Sequence, residues 1–264
     1  MRHELVDICV NLAHDAFRKE RDAIVARAVE AGVTRMMVTG SNEHDNPRCL
    51  ALADAYPDHL WATVGVHPHH AREWTPGSSD RLRELATHDK VRAIGEAGLD
   101  FNRNYSSPED QERAFEAQLA VASELGMPVF LHERDAHQRF LQILSPYLEH
   151  LPRAVVHCFT GDAHELERYL EMGLHVGITG WICDDRRGLH LREIVGRIPS
   201  DRLMLETDAP YLLPRDLRPR PHGRRNEPAF LPHVLNTVAA ARGRSPDLLA
   251  AETTRTACYF YGLP

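Results

Sequence analysis

A repeated alternation constrains this chain most. Short apolar runs give way, again and again, to longer stretches with helical spacing. The runs that read as strands are Leu5–Val10, Arg35–Thr39, Leu60–Val66, Val91–Gly95, Val129–His132, Ala154–His157, His175–Ile178 and Leu203–Thr207. Helical stretches lie between most of them, around 20–31, 44–55, 79–88, 109–125, 135–149, 163–172 and 188–196, with two more near 228–241 and 246–260. Strands that alternate with helices call for a parallel sheet with crossover connections. Eight such units in 264 residues fit a (β/α)8 TIM barrel forming one domain over residues 1–264. A doubly wound sheet would use similar elements and is the competing architecture.

The best-marked helix opens at "SSPEDQERAFEAQLAVASELGMP". Ser107 is placed to cap it, Pro108 to occupy its first position and Gly126 to stop it. Phe115, Leu119, Ala122 and Leu125 fall at helical spacing and are expected to face the sheet. The irregular stretch is residues 211–228, "YLLPRDLRPRPHGRRNEP", which reads as a long final βα loop of the kind that often carries function.

Polar residues recur where strands are expected to end. His67 follows "LWATVGV", Glu96 follows "VRAIG", His132 ends "PVFL", His157 ends "AVV" and Asp208 follows "LMLET". In a barrel the carboxyl ends of the strands converge on one face, so residues far apart in sequence can form one cluster there. Each also has an ordinary structural reading: a histidine at a strand end, Glu96 as a cap, Asp208 as support for the turn before "APY". Taken together they read as a shared metal site. Imidazoles with carboxylates suit Mg²⁺, Mn²⁺, Fe²⁺ or Zn²⁺. The five cysteines are scattered with no CxxC pair, which favours neither a structural zinc nor a disulfide framework. No GxGxxG or P-loop pattern supports a nucleotide cofactor.

At "IGEAGLDF", "FLHERDAH", "HCFTG" and "ETDAPYLLP", supported by "GVHPH" and "RRNEP", the chain resembles the TatD family of metal-dependent deoxyribonucleases over nearly its whole length. The resemblance implies an amidohydrolase-like barrel that hydrolyses phosphodiester bonds with divalent metal at its mouth. It implies Glu96, His132, His157 and Asp208 as metal ligands, with Glu96 able to bridge two ions. Most family members carry a His-x-His pair after the first strand; here "DICVNL" puts Cys9 and Asn11 at those positions. The departure resembles the bacterial branch that acts as a 3′→5′ exonuclease on single-stranded DNA, and on RNA, with an association with repair of oxidised DNA. Losing two nitrogen ligands makes Mg²⁺ the expected cofactor, with Mn²⁺ or Zn²⁺ as alternatives and one or two ions. A carboxylated lysine bridge is not expected, because the two lysines, Lys19 and Lys90, lie away from the carboxyl ends of strands.

Roles follow for the remaining candidates. Asp208 is expected to position the attacking water or take its proton, Glu96 to act as a catalytic residue through its bridging place, and His67 and His69 to contact the phosphate or protonate the leaving oxygen. Asn11 and Glu206 would support the ligands from behind. Arg134, Arg215 and Arg225 would grip phosphate, and Trp181 would stack on a base. The net charge of −7 argues against a broad basic surface but leaves room for a basic cleft. The expected partners are single-stranded DNA or RNA 3′ ends. The first residues go straight into a strand-like segment, and no apolar run reaches 18 residues, so no membrane association is expected and a cytoplasmic monomer is. Two other functions fit less well: a small-molecule amidohydrolase or phosphoesterase on the same barrel, and an inactive nucleic-acid-binding scaffold, for which the missing His-x-His pair is the main argument.

Overall fold

The computed structural model describes residues 4–221 and 223–264. Its strands are β1 (Leu5–Val10), β2 (Val33–Val38), β3 (Leu60–Val64), β4 (Val91–Asp100), β5 (Val129–Arg134), β6 (Ala154–Val156), β7 (His175–Ile178) and β8 (Leu203–Leu205). They form one sheet in sequence order. The pairings β1–β2, β3–β4, β4–β5, β5–β6 and β7–β8 are parallel. A parallel bridge between Val10 and Ala209, just past β8, returns the order to its first strand. Sequential order, parallel pairing and this return make the fold a (β/α)8 barrel. β1, β3, β6, β7 and β8 are buried along their whole lengths, as expected of parallel strands covered on both faces.

The chain divides into two compact units. The first comprises residues up to Val38, Cys158–Leu170 and His175–Pro264. It holds β1, β2, β7 and β8 with α1 (Arg21–Glu30), nearly all of α6 (Ala163–Glu171), α7 (Leu189–Ile194), α8 (Leu231–Arg242) and α9 (Pro246–Tyr261). Phe17, Ile24, Met36, Leu235 and Phe260 are among its fully buried side chains. The second comprises Thr39–His157 and Glu171–Leu174. It holds β3 to β6 with α2 (Asn46–Ala55), α3 (Ser78–Ala86), α4 (Pro108–Leu125) and α5 (His137–Leu144), and Phe115 of α4 stacks on Phe140 of α5.

The start and stop of α4 follow from its sequence. Ser107 Oγ accepts from the Asp110 amide at 3.1 Å, Pro108 is the first helical residue, and Gly126 ends the helix at φ +62°. Phe115, Leu119 and Ala122 are buried as expected, but Leu125 is 38% exposed. At 3.6 residues per turn it points about 80° away from Phe115, off the apolar stripe.

Two expected strand ends are corrected. β4 does not stop at Gly95 but continues to Asp100, and β5 continues past His132 to Arg134. Glu96 and His132 therefore lie inside strands, whereas His157 and Asp208 lie just beyond β6 and β8. Gly95 and Gly98 permit close approach to β5. Both have φ near +145°, and a Cβ would come within 2.1 Å of the Phe130 carbonyl oxygen at Gly95 and 1.9 Å of that of His132 at Gly98. Among the described residues, no helix is long and apolar enough to cross a membrane.

Candidate metal centre

In the second unit, β4 delivers the central carboxylate. Ile94 pairs with Val129 and Ala97 with Leu131, so β4 carries one extra residue across this span. Such a bulge re-aims the side chain it contains, and here that side chain is Glu96. Its Oε1 lies 2.9 Å from His132 Nδ1, 2.8 Å from His157 Nε2 and 3.2 Å from His67 Nε2. The His132 and His157 nitrogens are themselves 3.3 Å apart.

Asp100, the last residue of β4, supplies a second buried carboxylate. Its Oδ2 accepts from His69 Nε2 at 2.7 Å and lies 3.7 Å from His132 Nε2, an electrostatic contact too long for a hydrogen bond. Its Oδ1 accepts from the amides of Asn102 and Arg103. The His67-Pro68-His69 segment is held by its own backbone, since the His69 amide donates to His67 Nδ1 at 3.0 Å. With Nδ1 accepting, the proton of a neutral His67 sits on Nε2, against Glu96.

The electrostatics follow from these contacts. Burial pushes the Glu96 carboxyl up, but His67, His157 and His132 together outweigh it and hold the group well below the usual range. Burial likewise acts on Asp100, and the nearby His132 imidazole together with the hydrogen bonds from His69 and the Arg103 amide more than reverses it, leaving this carboxyl also lowered. Burial brings His67 down to about 4 despite the pull of Glu96, so its imidazole is neutral at neutral pH. For His132 burial is outweighed by Asp100 and Glu96, and its pKa is raised.

These residues fit a divalent cation. His132 Nε2 is buried without a hydrogen-bond partner. His67, Glu96 and His132 each offer a donor atom within 4.8 Å of the others. Glu96 Oε1, His132 Nδ1 and His157 Nε2 are separated by 2.8–3.3 Å, close to the ~3 Å between neighbouring donors that share an ion through bonds of about 2.1 Å. A carboxylated lysine has no place here: Lys90 precedes β4 and its ammonium donates to the Pro57 carbonyl.

In the first unit, Asp208 adopts φ +54° just past β8. Its Oδ1 accepts from Asn11 Nδ2 at 2.9 Å and from the Cys9 thiol at 3.5 Å. Glu206 is fully buried, and its Oε1 accepts from the Cys158 amide. Arg215 pairs with Asp184 at 3.1 Å. Arg225 is engaged by Glu20 and Glu227 at 3.0 and 2.9 Å and by the Ala16 carbonyl. Trp181 is half-buried, with the Arg187 guanidinium 4.1 Å from its ring centre. Arg134, in the second unit, is exposed at the end of β5.

A model of the family described as "TatD related DNase" matches residues 6–262. The chain belongs to the TatD family. Its curated relatives include proteins named 3′-5′ ssDNA/RNA exonuclease TatD from Pectobacterium carotovorum, 55% identical over 96% of this chain and 97% of the relative, and from Salmonella typhimurium, 54% identical over the same shares. A TatD homolog of Escherichia coli K12 matches with a TM-score of 0.90 at 28% identity, covering both chains fully. A TatD family hydrolase of Entamoeba histolytica, with a TM-score of 0.89 at 24% identity and the same full coverage, supports the fold. TatD membership and the His–Glu cluster together identify the chain as a metal-dependent hydrolase.

Asp100 is not legible as a site residue from the sequence, although it stands in "IGEAGLDF". With β4 ended at Gly95, Asp100 reads as loop. Extended, the strand shows Glu96, Gly98 and Asp100 at a period of two, the signal that would have found it. Nor does the sequence mark out Asp7. It lies fully buried in β1, accepting from the Thr207 amide at 2.9 Å and the Thr207 hydroxyl at 2.5 Å.

Proposed function

We propose that this protein is a metal-dependent 3′→5′ exonuclease acting on the 3′ ends of single-stranded DNA and RNA, as a cytoplasmic monomer with one catalytic domain. The observation that carries the reading is the convergence of three imidazoles on one oxygen of a buried, ionised glutamate, in a chain about 55% identical to curated exonucleases.

Glu96, His132 and His157 would hold the ion, and Asp208 joins them on the strength of the "ETDAPYLLP" motif. When bound, a divalent cation supplies positive charge to phosphate oxygens and lowers the pKa of water. The chain's own groups do the rest. Glu96 is kept anionic and aligns the imidazoles around it. Asp208, aligned by Asn11, orients the attacking water. His67 holds its proton on Nε2, and His69, held by Asp100 and 29% exposed, faces outward where a phosphate or leaving oxygen can reach it. Glu206 anchors the segment before Asp208. Arg134 and Arg215 are exposed enough to meet the nucleic-acid backbone, Arg225 braces its loop through Glu20 and Glu227, and Trp181 offers a stacking face. Mg²⁺ is the proposed ion, with Mn²⁺ as the alternative of the same oxygen-preferring class and Zn²⁺ as the competitor that the imidazole donors favour.

End-labelled single-stranded and duplex oligonucleotides, incubated with metal-depleted and then resupplied protein, test this reading. The expected result is a ladder shortening from the 3′ end of single strands, restored by Mg²⁺ or Mn²⁺. Intact oligonucleotides under all metals would overturn it.

A further inference from the structure

In the first unit, three side chains of different chemistry meet at a place that none of these roles uses. Cys183 closes the turn Gly180–Cys183 after β7, Asp216 lies in the turn that follows Pro214, and His233 sits in the first turn of α8. One donor atom from each lies within 4.8 Å of the other two. His233 Nε2 and Asp216 Oδ1 are 2.7 Å apart. The Cys183 thiol donates to Thr237 Oγ1 at 3.4 Å. Thr237 is one helical turn on from His233, so α8 turns both side chains toward the sulfur. Cys183 is fully buried, whereas the side chains of Asp216 and His233 are 35% and 28% exposed. The cluster is therefore closed behind its sulfur and open to solvent on the side of its acid and imidazole.

The geometry points to a second cation site, in which Cys183 Sγ, His233 Nε2 and a carboxylate oxygen of Asp216 bind Zn²⁺ or a cation of its class, with water as fourth ligand. Thiolate, imidazole and carboxylate are the three donor types that zinc combines, at about 2.3, 2.0 and 2.1 Å. Tetrahedral bonds of those lengths separate donors by about 3.5 Å, which the cluster reaches by a small opening of the His–Asp pair and a small approach of the sulfur. Binding releases one proton, from the thiol, while the imidazole proton, which Nε2 donates to Asp216 in the free cluster, is relocated to Nδ1 through solvent as Nε2 turns ligand. Without a cation the thiol stays protonated, since burial pushes it up to about 12. That argues against a Cys–His–Asp nucleophile, which needs a lowered thiol pKa. A bound cation would clasp Asp216, and so the basic 211–228 loop, to α8 and to the turn carrying Trp181.

Co²⁺ titrated into the full-length protein tests this. A thiolate-to-cobalt charge-transfer band in the near ultraviolet is expected, displaced by one equivalent of Zn²⁺. It should vanish in C183S and weaken in D216N and H233Q, yet persist in E96Q, which alters only the histidine–glutamate centre. Zn²⁺ should also slow tryptic cleavage within residues 211–228 in the parent protein and not in C183S. A missing band, or one that survives in folded C183S, would overturn the site. Should C183S fail to fold, the part-exposed D216N and H233Q decide, and an unchanged band in both refutes the assignment.

Discussion

Glu96 and Asp7 are both carboxyl groups buried on strands, and their surroundings drive them in opposite directions. Glu96 meets three imidazoles and stays ionised far below the usual range. Asp7 meets only neutral donors: the Thr207 hydroxyl and amide and the Cys9 amide, with Glu206 adding repulsion. Burial dominates, and its pKa rises to about 8. Burial alone therefore does not decide whether a carboxyl is charged; what matters is whether its neighbours can carry the opposing charge. Glu96 is suited to attract a cation. Asp7, protonated at neutral pH, ties Thr207 down just ahead of Asp208.

The largest effect that can break this contrast is the pH dependence of stability. Asp7 keeps a proton in the folded state that the unfolded chain releases above its ordinary value of 3.8. Its stabilising contribution is thus complete below pH about 4 and is lost as pH rises toward 8, with a ceiling of about 6 kcal/mol. Asp7→Asn mimics the neutral acid and removes this loss. Denaturant midpoints between pH 4 and 9 should show the parent falling relative to the variant, and parallel curves would return Asp7 to the ordinary carboxylates.

Next in size, Glu96→Gln keeps the shape and removes the charge. Cleavage of a labelled single strand should fall about a thousandfold, the scale of several kcal/mol of lost charge stabilisation, with the circular dichroism spectrum unchanged. Full activity in this variant would dissolve the distinction between the two carboxyls.

A third carboxylate sharpens the comparison. Asp208 has an amide and a thiol as donors. Asn11→Ala removes the amide donor and loosens the orientation of Asp208, and kcat should drop about 10- to 100-fold, as for other groups that orient ligands. A change confined to KM would instead place Asn11 on the substrate. Smallest is Thr207→Val, which strips Asp7 of one donor and should lower stability by about 1–2 kcal/mol at neutral pH, read by thermal denaturation.

The alternation of strands and helices was legible because it depends on neighbours a few residues apart. Ser107, Pro108 and Gly126 bound α4 by local hydrogen bonding and backbone geometry alone. The types of the metal-centre residues, His67, Glu96, His132 and His157, were legible for a similar reason: each stands at or near the end of an apolar run. Asp100 was not, because the strand reads as ending at Gly95, and only the packing shows that Gly95 and Gly98 are positions where β5 passes too close for any side chain while the strand runs on.

From sequence alone came the eight-unit barrel, the caps of α4 and a short list of candidate ligands, all consequences of short-range pattern. Tertiary structure decided which nitrogen faces which oxygen, since that depends on the one-residue bulge between β4 and β5. It also decided which carboxyls are charged. And it brought together Cys183, Asp216 and His233, unrelated in sequence, because a side chain's partners are set by where the backbone packs rather than by its place in the chain.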